Sequence, residues 1–446
     1  MSTSPSLDAV QINARTPGTA GLLAACLVLC LLLGTSGCGS VRGRSDSRPA
    51  GGGPSRPFAA HATPYHAGGV ILPNRVPQAA LDAATAAYYD QWKSAYLEPA
   101  CKPGEYRIRS LGATKAYAVS EGHGYAMMAL PLMAGHDPEA QRLFDGFYRY
   151  YKSHGSAGNR ELMAWAQNKN CENVGGPNSA TDADLDIAYG LLLADRQWGS
   201  GGAIDYRGAA EDLIKTIVKI EVTPANNLIV GNWVTDARNP RYTAARGSDF
   251  MPEHFKTFQR ATGNQRWDAV LTKTYDLIAL IQKRDSPSSG LVPDFIVDAA
   301  GDAPHPAPPR WLEAPTDGQY AWNACRVPWR VTTDYLITGD ARAQAAVRRM
   351  NAWLRHATAE DPAAIRAVYD LGGEPVNDYT SLAFSAPFLV AAMIEPEQGS
   401  NQPWLNALWD MVAATPIKEY YGDSIKLFAM IVASGNWWSP ATGSAG

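Results

Sequence analysis

Apolar positions recur every three to four residues along most of the chain. A dozen stretches combine that spacing with Ser, Asp or Asn at the start and Gly at the end. The pattern predicts helices over residues 77–97, 121–134, 138–152, 183–198, 206–220 and 250–262 in the first half. In the second half it predicts them over 265–283, 322–337, 341–356, 380–393, 403–412 and 423–433. Strict alternation is scarce, so strand is expected to be slight and confined to loops such as 227–235.

The links between these helices alternate in kind. Ala134-Gly135-His136-Asp137, Ala261-Thr262-Gly263-Asn264 and Thr338-Gly339-Asp340 are short, with a Gly suited to a left-handed helix end and a polar residue able to start the next helix. Such joints make consecutive helices antiparallel neighbours. The links at 155–178, 221–246 and 286–319 are long and rich in Gly, Pro, Asn and Trp, and long ordered loops in a compact domain are usually functional. The alternation predicts an all-α fold, an (α/α)6 barrel of six helical hairpins with the long loops on one active face. No repeat of fixed period recurs, which disfavours an open solenoid, while two separate helical domains remain open.

With 446 residues, 46% of them hydrophobic, and 13 Trp and 20 Tyr, core material is ample. The formal charge of −4 argues against nucleic acid or an anionic membrane surface as a partner. The first seventy residues read differently from the rest. GLLAACLVLCLLL at 21–33 is short for a bilayer span, follows Arg15 and precedes small residues, which reads as an export signal over 1–38. Thr35-Ser36-Gly37-Cys38 resembles a bacterial lipobox, which implies lipidation at Cys38; a plainly cleaved signal or an uncleaved anchor is the alternative. Any membrane link would run through that lipid or signal alone. Residues 39–70, full of Gly, Ser, Pro and Arg, read as a flexible tether, and the folded domain is expected over 71–446. Cys101 and Cys171 lie in loop-like surroundings and can pair in an oxidising compartment, whereas Cys325 reads as a buried thiol. The protein is expected to be exported from a bacterial cell, either anchored or free, and to be monomeric.

Acidic residues recur at the mouths of apolar helices: Glu121 in VSEGHGYAMM, Asp182, Asp184 and Asp186 in SATDADLDIAYG, and Asp249 in GSDFMPEHF. Each has a capping reading, with Ser120 as N-cap ahead of Glu121 and Asp249 as a cap in its own right. Taken together they point to a carboxylate-lined groove, although at most two of the three aspartates in TDADLDIA need face it. No Walker, Gly-x-Ser-x-Gly or HExxH pattern is present, and His123 reads as a local hydrogen-bonding group or a sugar contact. No metal or cofactor is expected. Cleaving a glycosidic bond needs two carboxyl groups with opposed protonation states. Trp165, Trp233, Trp311 and Trp322, in or beside the long loops, can stack on a pyranose ring or serve the core.

VSEGHGYAMM, ATDADLDIAYGLLLADRQWG, GSDFMPEHF and YAWNACRVPWRVTTDY together resemble the successive signatures of glycoside hydrolase family 8. The resemblance implies an (α/α)6 barrel and inverting, endo-acting hydrolysis of a β-1,4-linked polysaccharide. It implies Glu121 as general acid and Asp182 as the residue that holds the sugar distorted, with Asp184 its neighbour in the groove. Many members carry Asp where Asn323 stands here; a second branch has Asn and takes its base from a preceding loop, which implies Glu313, with Asp317 as rival. Tyr125, Trp165, Trp233, Trp322, Asn323 and Arg326 are read as substrate-binding, and Arg330 as structural. The glycines of the first motif are expected to leave space for the sugar chain. A β-glucan of cellulose type is the first expectation for substrate, followed by chitosan and then xylan. A carbohydrate-binding lipoprotein without catalysis is the rival of another class.

Overall fold

The helical rhythm is realised in full. The computed structural model describes residues 53–61, 63–65, 67–110 and 116–441; the export signal and Cys38 lie outside the described residues. Six hairpins follow one another: α1 (Gln78–Tyr96), α2 (Ser120–Leu132), α3 (Ala140–Ser153), α4 (Thr181–Trp198), α5 (Tyr206–Ile220), α6 (Pro252–Thr262), α7 (Arg266–Arg284), α8 (Val327–Thr338), α9 (Ala341–Ala357), α10 (Leu382–Ala391), α11 (Gln402–Ala414) and α12 (Tyr420–Ala433). The helix expected to start at 322 begins instead with a 3-10 turn at Ala324–Arg326 before α8. The even-numbered helices form a closed inner ring, α2 to α4 to α6 to α8 to α10 to α12 and back to α2, and each packs on an odd-numbered outer helix. This is an (α/α)6 barrel.

Composition sorts the two layers. Inner helices such as α2, α4 and α10 are buried on nearly every side, as a helix enclosed by others must be, and α4 is buried without interruption from Thr181 to Ala194. Outer helices such as α3 and α5 carry one apolar stripe facing inward. Two glycines set the closest approach in the ring. A Cβ on Gly124 of α2 would sit 2.7 Å from Asp186 Cβ, and one on Gly190 of α4 would sit 2.7 Å from the Met127 carbonyl oxygen. Only glycine lets these backbones come so near. Pairs such as Gly124 with Asp186 and Met127 with Gly190 also fix α2 and α4 as parallel, so the N-termini of these two share one face of the barrel.

Strand is confined to small pieces: β1 (Leu97–Pro99) with β2 (Tyr106–Ile108), β3 (Ala118–Val119) with β4 (Ala166–Gln167), and a three-stranded set of β5 (Ala245–Arg246), β6 (Phe295–Val297) and β7 (His305–Pro306), all antiparallel. The loop at 227–235, where strand was expected, contributes an isolated bridge at Leu228 and a 3-10 turn at Asn232–Val234. A disulfide joins Cys101 to Cys171 and ties the β1–β2 hairpin to the long loop after β4, while Cys325 is a buried free thiol.

The expectation of a tether up to residue 70 is corrected. From residue 53 the chain runs as a strap across the C-terminal ends of the inner helices. The Ser55 N–H donates to the Gln197 carbonyl at the end of α4, Phe58 N–H to Ala134 beyond α2, and Ile71 N–H to Met393 beyond α10. The Tyr65 hydroxyl donates to the Val432 carbonyl in the last turn of α12. Helix ends leave carbonyls without intrahelical donors, and the strap supplies donors to them. Because these are mostly backbone bonds, they need no apolar periodicity, and composition gave no sign of them. Among the described residues no helix is long and apolar enough to cross a membrane.

Candidate active site

The N-terminal face of the inner ring collects the chemistry. Every residue of α2 is buried except Glu121, whose side chain is 21% exposed. Neither Glu121 nor Ser120 caps the helix. The N-cap is Val119, which makes no side-chain capping bond, and Ser120 is the first helical residue. The Glu121 carboxylate instead accepts from Arg326 Nη1 at Oε2 (2.8 Å) and from the Tyr420 hydroxyl at Oε1 (3.1 Å). Gly122 makes the second contact possible, since a Cβ there would lie 2.7 Å from the Tyr420 oxygen. The motif's glycines therefore admit Tyr420 and helix α4, not a sugar.

Arg326 is the hub. Its Nη1 also donates to Asp182 Oδ2 (3.2 Å) and the Tyr125 hydroxyl (3.3 Å), and its Nη2 donates to Asn323 Oδ1 (3.2 Å). Asn323 Nδ2 in turn donates to Glu313 Oε2 at 2.9 Å. Glu121 and Glu313 thus lie at the two ends of one line, Glu121–Arg326–Asn323–Glu313. Asp317, the rival, is buried, and its carboxylate accepts from the backbone N–H groups of Leu312 (2.6 Å), Glu313 (3.0 Å) and Ala314 (2.7 Å), which shapes the loop that presents Glu313. Asp294, which the sequence reading passed over, does the same for the next turn by accepting from Ala321, Asn323 and Ala324.

A second guanidinium also escaped the sequence reading. Arg246 Nη2 donates to Asp182 Oδ1 (2.9 Å) and Asp249 Oδ1 (2.8 Å). Asp249 is consequently not a helix cap; α6 is capped at Met251. The one sequence signal for Arg246 was its position three residues ahead of Asp249.

The three aspartates of α4 separate. Asp182 joins the groove floor. Asp186, one turn further in, pairs with Arg330 Nη2 at 2.6 Å and with His254 Nε2 at 3.1 Å, in agreement with a structural Arg330. Asp184 is a correction: it is wholly buried and accepts from the Met163 N–H at 2.9 Å, so it meets no substrate in the groove. Tyr125 is likewise wholly buried and touches the site only through Arg326. His123 is buried and bonded to the Phe147 carbonyl (2.8 Å); burial pushes its imidazole down to about 3, so it is neutral and donates, with no sugar contact.

Trp165, Trp233, Trp311 and Trp322 are all half-buried beside these groups. The Trp165 carbonyl accepts from the Ser120 N–H, and its indole N–H donates to the Gly175 carbonyl at 3.1 Å. Trp233 follows Asn232, whose N–H donates to Ser179 Oγ just ahead of α4. Trp322 precedes Asn323 and lies near-parallel to Tyr379, with ring centroids 6.5 Å apart.

Electrostatics separates the carboxyls. Burial raises Glu121, Arg326 pulls it down, Asp182 raises it again and the Tyr420 bond lowers it; the net position is above an ordinary glutamate. Asp182 goes the other way: burial would raise it, but Arg246 and Arg326 hold it below the usual range. Glu313 is open to solvent at its surface, yet the protein packed around its carboxyl raises it against the pull of Arg246 and the Asn323 bond. The inner-helix N-termini converge here and favour negative charge, which makes burial the force that keeps Glu121 high. Among the described residues no cluster of three or more His, Cys, Asp or Glu is arranged to hold a metal ion.

The model of the family described as glycosyl hydrolases family 8 matches residues 71–435. A β-glucanase of Niallia circulans is 47% identical over 86% of this chain and 92% of its own length. An endoglucanase of Bacillus sp. (strain KSM-330) is 35% identical over 83% of this chain and 80% of its own. Among solved structures, a β-1,3-1,4-glucanase from Paenibacillus sp. X4 superposes with a TM-score of 0.82 at 46% identity, covering 86% of this chain and all of that one. A xylanase from Teredinibacter turnerae, 16% identical with a TM-score of 0.68 over 82% of this chain and 96% of that one, shares the fold.

Proposed function

The chain belongs to glycoside hydrolase family 8 and is a glycosidase of the endoglucanase kind; on that premise we propose that it cleaves internal β-1,4 linkages of a β-glucan with inversion, Glu121 as general acid and Glu313 as general base. The observation that carries the roles is the line from Glu121 through Arg326 and Asn323 to Glu313. Two intervening side chains support a wide separation, and an inverting site needs roughly 6.5–9.5 Å between its carboxyls to seat a water.

In this reading Glu121, raised by burial, keeps its proton until the glycosidic oxygen takes it. Glu313, held at Oε2 by Asn323, draws a proton from the water that attacks the opposite face of the sugar. Asp182 stays ionised between its two arginines and holds the sugar ring in its distorted form. Trp165, Trp233 and Trp322 supply stacking surfaces along the chain direction. Proton NMR of the first products tests the assignment: the released reducing end should carry the inverted anomer, and a retained anomer overturns it. The Glu313→Gln variant should lose activity at every pH, whereas Asp317→Asn, which only loosens the loop, should keep a measurable fraction.

The glucanase names of the relatives favour glucan over chitosan, and hydrolysis rates on barley mixed-linkage glucan, carboxymethylcellulose, chitosan and xylan decide between them. We also infer export. The Cys101–Cys171 bridge suits an oxidising compartment, and intact mass of the membrane-fraction protein would reveal a lipid on Cys38.

A further inference from the structure

Beneath the groove floor lies a set of carboxyl groups that the mechanism above does not use. Asp184 from the first turn of α4, Glu221 at the end of α5 and Asp249 from the 3-10 turn at Gly247–Asp249 are each at most 1% exposed. Each also has one oxygen, Asp184 Oδ2, Glu221 Oε2 and Asp249 Oδ2, that is buried and finds no hydrogen-bond donor among the described residues. A buried carboxylate oxygen without a donor is costly, and the cost disappears if the carboxyls carry protons themselves.

Charge counting leads to the same place. Six carboxyls, Glu121, Asp182, Asp184, Glu221, Asp249 and Glu313, cluster around two guanidiniums, Arg246 and Arg326. Fully ionised, the four of them that are shut off from solvent, Asp182, Asp184, Glu221 and Asp249, would outweigh the two guanidiniums in a dry interior, an imbalance that proteins avoid by keeping protons. Glu221 is the best placed to keep one. Its Oε1 receives the Ser179 hydroxyl at 2.6 Å, and the groups that act on it are Asp184 from α4, Asp249 from the 3-10 turn, Arg246 from β5 and the hydroxyls of Ser179 and Thr181. No guanidinium or ammonium bonds to it directly among the described residues; Arg246 is already shared by Asp182 and Asp249.

We propose that Glu221 is a positioning residue that stays protonated at working pH and that, with Asp184 and Asp249, it forms a proton-holding floor that keeps Arg246 and Asp182 in place beneath the reacting carboxyls. Burial is the leading cause of a Glu221 carboxyl raised to about 8, and burial likewise raises Asp249 to about 7. On the alkaline side Glu221 releases its proton to solvent, its new charge draws Arg246 away from Asp182, and Asp182 loses its hold on the sugar. The consequence for stability has a definite sign. A folded-state value above the unfolded one means stability present at low pH and lost as pH rises from about 4.5 through about 8.

This inference rests on the glycosidase roles given above, but its first two readouts need no substrate. Infrared spectroscopy of the wild type at pH 7 should show a protonated-carboxyl stretch that weakens in Glu221→Gln, which carries the neutral form permanently. The fall in melting temperature between pH 5 and pH 8 should be shallower in that variant. Its alkaline limb of kcat should move to higher pH, with the change in kcat rather than KM. Asp184→Asn provides the same three readouts from the partner side if Glu221→Gln folds poorly. An unchanged infrared band and melting profile in both variants overturns the proton-holding floor, and an altered melting profile with an unmoved kinetic limb overturns the positioning role.

Discussion

The barrel interior holds two ionic layers one helical turn apart, and they behave differently. The outer layer has Glu121, Asp182 and Arg326; four residues on along the same helices, the inner layer has Tyr125, Asp186 and Arg330. In the inner layer Arg330 is sealed between Asp186, His254 and the face of Trp329, with its guanidinium carbon 3.9 Å from the ring centroid. In the outer layer Arg326 is divided among Glu121, Asp182, Tyr125 and Asn323, and Glu121 faces the groove. The same residue types make a closed structural pair at one depth and an incomplete, reactive set at the next. Depth along the barrel axis, more than residue chemistry, separates the two roles.

Mutations can break each layer separately. The largest expected effect is Glu121→Gln: kcat should fall on the order of 10²–10⁴-fold, the usual worth of a positioned general acid, with little change in melting temperature. Arg330→Met should do the reverse. Leaving Asp186 in the interior with His254 but without its guanidinium costs roughly 3–5 kcal/mol, which denaturant unfolding measures, while the kcat of the folded fraction should hold. A large kcat loss there without a stability loss would erase the distinction between layers. Asp182→Asn is intermediate, with kcat down about tenfold on the scale of one lost charged contact. Because Asp182 raises Glu121 and competes for Arg326, its removal should lower Glu121 and shift the alkaline limb of kcat to lower pH. An unmoved limb would separate the two carboxyls. The smallest effect belongs to Tyr420→Phe, which removes one hydrogen bond worth about 1 kcal/mol. That bond lowers Glu121, so the alkaline limb should move slightly upward, opposite to Asp182→Asn.

Much of this was legible in the chain. All twelve helices were visible because apolar spacing, Ser, Asp or Asn at the start and Gly at the end are local signals that survive without knowledge of neighbours. The resemblance put Glu121, Asp182, Glu313 and Asn323 in one site. What escaped depended on contacts distant in sequence. Asp182 and Asp184 stand two residues apart and cannot share a helix face, yet only the packing of Met163 and Glu221 says which one turns from the groove. Arg246 and Tyr420 lie 80 residues before and 94 after Arg326, and nothing local marks them. The glycines of SEGHGY were misread for the same reason, since the groups they admit belong to α4 and α12.

The strap across the closed end fixes an orientation. Residue 53 departs from the side of the barrel where the inner helices finish, whereas Glu121 and Glu313 open on the side where they begin. A group coupled directly at residue 53 sits behind the enzyme. A bead, a surface or an anchor attached there leaves the mouth pointing outward, with a clear approach for a long polymer from the front.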